Sequence, residues 1–293
     1  MNSIKNDRVY LGKKLQQDDI FPLSKIVDSY EITGMKARKG MEKLIISEDT
    51  IVNVVSNRYG HLPNQLFFGK VEEKLNLQGV NYITRSINRD NCSFMADYIL
   101  KDDNYHIDVK GSNDILTPML RFINSYDGTC KTSGHFGFWR QVCSNGLNVA
   151  NIKISFGFKH TGDITDVVVP EINQLIQQFM SSEFHELKRK FEVLAETPIS
   201  NINDFVKFTL GKTKLFKYEK SEKNPDPSKL SQSVIDKVYS EAIQLNVAPN
   251  YWLGYNAFNE VLHDELKKSF DTQKEADGRL FDVILQDALT QGN

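Results

Sequence analysis

The sequence predicts an α+β fold: a mostly antiparallel sheet of five or six strands packed by a long helix, with a helical C-terminal tail. Three observations predict it. Between residues 80 and 158, short β-branched and aromatic runs are separated by clusters of turn-formers, the pattern of antiparallel strands. After Lys159 the apolar spacing lengthens to that of an amphipathic helix. From residue 230 onward, helical stretches follow one another to the end.

Residues 1–48 read as an irregular arm with one short helix near Leu23–Ser29 and a basic cluster at Lys36, Arg38, Lys39 and Lys43. Thr50–Ser56 is β-branched and short, hence a strand. Pro63 suits the first position of a helix carrying Leu66, Phe67, Val71 and Leu75 on one face, and Gly79 ends it. Val80–Ile87 is strand-like. Phe94–Leu100 and Tyr105–Lys110 flank Asp102-Asp103-Asn104 and read as a hairpin. Ile115–Ile123 is apolar on both faces, which marks a central strand, with Pro118 suggesting a bulge or an edge. Ile152–Phe158 alternates cleanly. A helix over Asp166–Glu196 is striped by Ile172, Leu175, Ile176, Phe179, Leu187, Phe191 and Leu194, and Asn203–Leu210 is a second, short one. The last helices span about 230–245, 250–269 and 273–290. The domain organisation expected is an arm (1–48), an α+β core (49–210), a flexible lysine-rich connection with Pro225 and Pro227 (211–229) and a helical tail (230–293).

Composition bounds the function. Neither a secretory leader nor an apolar run long enough to cross a membrane is present, so the expectation is a cytoplasmic protein without a membrane partner. Three scattered cysteines, Cys92, Cys130 and Cys143, fit neither a disulfide framework nor a zinc site. The formal net charge of −2 is uneven: residues 162–293 hold 15 Lys and Arg against 21 Asp and Glu, leaving the front half net +4. That permits a polyanionic partner without requiring one.

No phosphate-binding loop, dinucleotide fingerprint, zinc-protease motif or nucleophile elbow occurs. The one echo of an enzyme is Asp108-Val109-Lys110, with Asp97 as a second carboxylate, in the manner of metal-dependent nucleases. A solvated strand face accounts for the same residues. The six histidines show no ligand spacing, and His135 beside Phe136 is the one that invites a test.

Thr117–Gly146 points instead to binding. It joins two turns through a cationic and aromatic run. Arg85, Arg89, Arg121, Lys131, Arg140, Lys153 and Lys159 lie on or beside expected strands, with Phe138 and Trp139 close to them. Single-stranded nucleic acid is held in that way, by cations along its phosphates and aromatic rings under its bases. The competing reading makes the aromatics core. A second cationic run, Lys212, Lys214, Lys217, Lys220 and Lys223 with Phe216 and Tyr218 interleaved, resembles a clamp, though a solvated linker has the same composition.

Four blocks, VSNRYGHLPNQ (55–65), LRFINSYDGTCKTSGHFGFWRQVCSNGL (120–147), FKHTGDI (158–164) and WLGYNAFNEV (252–261), resemble in order the family catalogued as domain of unknown function 932. The resemblance implies a phage or plasmid setting and no settled activity. Arg58, Asn124, Asp127, Gly128, Arg140, Cys143, Asn145 and His160 match its pattern. Tyr126 stands where the family commonly has His, and Gly146 where it commonly has Thr, so a catalytic histidine at 126 is excluded. More loosely, the order of elements is similar to that of single-strand annealing proteins of the Red-beta, RecT and Erf kind, which assemble into rings or filaments. The expectation is a single-stranded DNA-binding protein, strand-annealing in recombination or replication, a homo-oligomer needing no cofactor. The alternatives are a protein-binding or inhibitory module using the acidic tail, and the nuclease.

Overall fold

A computed structural model describes residues 7–12, 21–101, 106–140, 146–147, 155–181, 185–266 and 268–291. The fold is α+β, its sheets are antiparallel and helices close the chain. The chain divides into two compact units: 1–102 with 119–136 and 153–182, and 103–118 with 137–152 and 183–293.

The first unit opens with β1 (Asp7–Gly12). The arm expected to be irregular instead builds a three-stranded sheet from β2 (Ser24–Asp28), β3 (Lys43–Ser47) and β4 (Thr50–Val55), with the short helix α1 (Ser29–Thr33) after β2. Asp28 caps α1 by accepting from the Tyr30 N–H at 2.9 Å. The β3–β4 turn is made by Glu48 and Asp49, both left-handed at φ 46° and 62°. That is the geometry that matches the twist of a tight hairpin.

Helix α2 (Asn64–Leu77) buries Phe67, Val71 and Leu75 as expected, with Phe68 beside them, whereas Leu66 of the expected stripe is exposed. Strands β5 (Tyr82–Arg89) and β6 (Ser93–Leu100) pair around Asp90 and Asn91, again both left-handed. The hairpin expected between residues 94–100 and 105–110 therefore does not form. β6 pairs with β5 and β8 (Asp114–Ser125), whereas β7 (Ile107–Val109) pairs with β8. The expected turn at 102–104 lies outside the described residues. Pro118 falls between Leu116, the last residue paired with β7, and Met119, the first paired with β6. A residue without an N–H belongs where the ladder changes partner.

Strand β9 (Thr132–Arg140) neighbours β8 and takes β11 (Ser155–Phe158) on its first half and β10 (Gly146–Leu147) near its end. In the first unit the sheet order is β1-β5-β6-β8-β9 with β11 on β9. Helix α3 (Ile164–Ser181) completes that core with Ile172, Leu175, Ile176 and Phe179. Phe122 packs edge-on against Phe67 at 6.0 Å and Tyr98 at 5.9 Å, and Phe136 meets Phe179 at 5.1 Å. Each buried ring contributes about 1.5–3 kcal/mol of transfer free energy.

The single helix expected over 166–196 is described as α3 and α4 (His185–Glu196). The reason is visible in the stripe. Its first half feeds the core of the first unit, and Phe191 and Leu194 feed the second. The second unit continues with α5 (Ile202–Thr213), a hairpin of β12 (Glu219–Ser221) and β13 (Asn224–Pro227), α6 (Lys229–Leu245), α7 (Tyr251–Glu260), a π-helical turn at Val261–Glu265 and α8 (Phe270–Gln291). Asn250 caps α7 by accepting from the Leu253 N–H at 3.0 Å. Trp252, Phe191 and Phe281 form the aromatic centre, with Phe191 5.1 Å from Trp252 and 5.9 Å from Phe281. No described helix is long and apolar enough to cross a membrane.

Candidate nucleic-acid interface

The cross-strand register explains the strand arginines. Arg85, Asp97 and Arg121 stand directly opposite one another across β5, β6 and β8. Arg121 grips the carboxylate with two bonds, Nε to Oδ1 at 2.5 Å and Nη2 to Oδ2 at 2.7 Å, and Arg85 Nη1 approaches Oδ2 at 3.5 Å. Asp97 is wholly buried and Arg121 nearly so. Arg89 is buried as well, opposite Ser93.

Arg140 is in the same situation in the second unit. Its Nε donates to Asp114 Oδ2 at 2.6 Å and its Nη2 to Glu241 Oε2 at 2.8 Å, while the guanidinium lies 5.6 Å from the centre of the Trp252 ring. Trp252 Nε1 donates to the same Asp114 oxygen at 3.0 Å.

Of the residues expected to hold nucleic acid, Arg89, Arg121 and Arg140 thus lie inside, and the last two are committed to carboxylates. Phe138 is buried edge-on against Phe191 at 5.3 Å. Arg85 and Trp139 are half-buried, Lys131 and Lys159 are exposed, and Lys153 lies outside the described residues. Among the described residues of this set, the exposed cations are Lys131 and Lys159, which flank the paired Thr132 and Phe158 of β9 and β11. The nuclease residues fare similarly: both Asp97 oxygens are engaged, while Asp108 and Lys110 sit on solvent-facing positions at and after β7. No group of three acidic, histidine or cysteine side chains that could hold a metal occurs among the described residues.

The blocks 55–65, 120–132 and 158–164 converge on a polar network in the first unit. Asn124 Nδ2 donates to the Leu62 carbonyl and to Asn64 Oδ1, both at 2.9 Å, and its Oδ1 accepts from Thr132 Oγ1 at 2.9 Å. The Tyr126 hydroxyl accepts from the Asn64 N–H at 3.0 Å and donates to the Pro22 carbonyl at 3.2 Å. His160 stacks on Tyr59 at 5.2 Å, and its Nδ1 lies 3.2 Å from the Gly60 carbonyl. His61 Nε2 is hydrogen-bonded to Ser24 Oγ at 3.1 Å.

Burial, with His160 nearby, pushes the His61 pKa down to about 4, and burial pushes the Tyr126 phenol up to about 12. Burial also raises the Tyr59 phenol. Near neutral pH His61, Tyr126 and Tyr59 are therefore uncharged. The network fastens the loop after β4 to the β8–β9 turn, and among the charged residues of the blocks that build it, Arg58, Lys131, Lys159 and Asp163 are exposed and Asp127 is half-exposed.

A third place does gather cations. The C-terminal half of α5 and the β12–β13 hairpin enclose a groove of about 1040 Å³ lined by Lys207, Lys214, Lys217, Lys220 and Lys223, with Phe216 and Tyr218 between them. Glu219 and Glu222 also line it, and Lys220 pairs with Asp226 at 3.6 Å. Lys207 lies over the Tyr218 ring at 4.9 Å, and the Tyr218 hydroxyl donates to Asn203 Oδ1 at 2.8 Å. Burial, with Asp204, Glu219 and Asp226 around it, raises the Tyr218 phenol.

This segment was expected to be a flexible connection. Two of its carbonyls are bonded, with Ser228 Oγ donating to the Lys217 carbonyl and Ser231 Oγ donating to the Tyr218 carbonyl, both at 2.9 Å. Four of the five lysines, Lys214, Lys217, Lys220 and Lys223, were legible as a run in the sequence, whereas Lys207 was not part of it and Lys212 of that run does not line the groove. The hairpin that turns them toward α5 was not legible, because the proline-rich stretch Asn224–Pro227 forms its second strand.

No curated protein and no solved structure matches the chain. The model of the family described as domain of unknown function, DUF932, matches residues 51–280, a span that takes in the polar network apart from Pro22 and Ser24, the three buried arginines and the lysine groove. The chain belongs to the DUF932 family.

Proposed function

We propose that the protein binds single-stranded nucleic acid and that the lysine groove of the second unit is the contact surface. The observation that carries the reading is the convergence of five lysines and two aromatic residues on one groove. Lysines exposed to water neutralise phosphates at little desolvation cost, and the flat rings of Phe216 and Tyr218 accept any base. A chain of net charge −2 needs such local concentration of cations to attract a polyanion at all. Assembly into a homo-oligomer would multiply contacts that are weak singly, and annealing of complementary strands, as in the Red-beta, RecT and Erf proteins, is the activity such an array supports.

An oligonucleotide titration over a range of salt tests the reading. Binding is expected at about 50 mM salt and falls steeply as salt rises. Lys214→Ala with Lys217→Ala should reduce the slope of log K against log salt by about 1.4, since each phosphate contact on a single strand contributes about 0.7. Absence of binding at low salt refutes the proposal. An unchanged slope in the double variant removes the groove from it.

A further inference from the structure

We infer that a phosphate of the bound strand sits over Gly211, between Lys207 and Lys214, against bare helix backbone. The inference rests on the groove being the nucleic-acid surface. Gly211 lies inside α5, where glycine is the least favourable residue apart from proline. Two structural reasons for a glycine are missing. A Cβ built on Gly211 meets nothing within 4 Å, unlike one on Gly254, which would lie 2.4 Å from a Phe205 ring carbon. Nor is the backbone left-handed there, as it is at Gly162 with φ 64°. The fold would accept a side chain at 211 and be steadier for it.

The position of Gly211 in the groove supplies a reason. Lys207, Leu210 and Gly211 follow at helical spacing on α5, Gly211 in its last turn, Lys214 is the left-handed residue that caps the helix, and all four line the groove. Gly211 is the gap between two lysines, four residues after one and three before the other. An anion shared by both ammonium groups would lie over that gap, and a side chain there would occupy its seat. Glycine is the residue that lets a ligand approach the backbone closely. Lys207 would leave the Tyr218 ring for the phosphate, and the bases would then turn toward Phe216 and Tyr218.

The test uses the full chain with Gly211→Ala and Gly211→Leu, each measured for thermal stability and for binding of a fluorescent oligo-dT across a salt series. Both variants are expected to melt higher than the parent by about 2–4 °C, because alanine and leucine favour the helix. Gly211→Leu should bind about tenfold more weakly, a loss of about 1.4 kcal/mol. Its salt slope should fall by about 0.7, one phosphate, although no charge has been removed. If the parent binds and Gly211→Leu binds equally well with the same slope, the inference is overturned while the groove stands. If Gly211→Leu melts lower, glycine has a packing role and the inference is also overturned. If the parent does not bind, the functional reading fails and takes this one with it.

Discussion

Replacing Arg140 with methionine tests whether the interior arginines serve the fold or a ligand. Arg140 has no exposed surface and is held between Asp114 and Glu241. The variant keeps most of the side-chain volume and removes the charge, stranding two carboxylates in the interior of the second unit. Among the described residues Asp114 Oδ1 already has no hydrogen-bond partner, so little is available to compensate. Removing one member of a buried ion pair costs about 3–5 kcal/mol, most of it the uncompensated partner. Two stranded partners put the expectation at the upper end of that range. Urea unfolding followed by the fluorescence of the two tryptophans, Trp139 and Trp252, the second of which lies against the cluster, reads the loss. The midpoint should drop with the slope unchanged. Adding Asp114→Asn and Glu241→Gln should return more than half of the stability, because neutral groups are far cheaper to bury. The folded fraction of Arg140→Met should bind oligonucleotide as the parent does. A loss below about 1 kcal/mol would refute the structural role, since buried networks do not break so cheaply. Full stability with lost binding would return Arg140 to the ligand.

Two further changes probe the first unit. His61 is held neutral, its pKa down at about 4 from an ordinary 6.5, so between those values the unfolded chain takes up a proton that the folded chain refuses. Stability should therefore fall as pH is lowered from about 6.5 to about 4, by about 2–3 kcal/mol from this group, and the fall should be absent from His61→Gln. Denaturation curves at pH 7, 5.5 and 4.5 for both proteins settle it, and identical pH profiles would show that His61 contributes nothing. Gly134→Ala would bring a methyl to 2.5 Å from a Phe156 carbon and 2.8 Å from Leu175 and Phe122. Overpacking of that kind costs about 1–3 kcal/mol, and a melting temperature within error of the parent would show that the core yields.

The fold was legible where local chemistry and long-range pairing agree. Helix α2 and strands β5, β6 and β8 follow their apolar spacing to within about three residues, and element boundaries are the least secure part of any such reading. In the three-stranded sheet at the front only β4 was legible, as Thr50–Ser56; β2 lies where a short helix near Leu23–Ser29 was expected, and β3 was not foreseen. Its tight turn uses Glu48-Asp49 in left-handed conformations where Asn-Gly would have announced it. Strand β2 also carries Lys25 and Asp28 on exposed positions, so its apolar core is only Ile26-Val27. The interior arginines show a graded case. The Arg85–Asp97 pairing follows from the register of one hairpin and could have been read from the turn at Asp90-Asn91. Arg121 needs the register of a third strand. The bond from Arg140 to Glu241 spans 101 residues and leaves no local trace.

The two kinds of cation differ in what water has already lost. Arg121 and Arg140 left water when the chain folded, and their carboxylates hold them. Drawing either toward a phosphate would leave a buried acid uncompensated, a cost of about 3–5 kcal/mol that a single phosphate contact does not return. Apart from Lys220, which pairs with the exposed Asp226, the groove lysines still stand in water, so a polyanion replaces mobile counterions rather than carboxylate partners, and the released ions drive the association. The same physics separates the variants. Neutralising an interior arginine should move the unfolding curve and leave the salt slope alone. Neutralising a groove lysine should move the salt slope and shift stability by no more than about 0.5 kcal/mol, the ordinary range for a surface change. A groove lysine that behaved like Arg140, costing several kcal/mol without touching the slope, would mean that the groove is built for the fold as well.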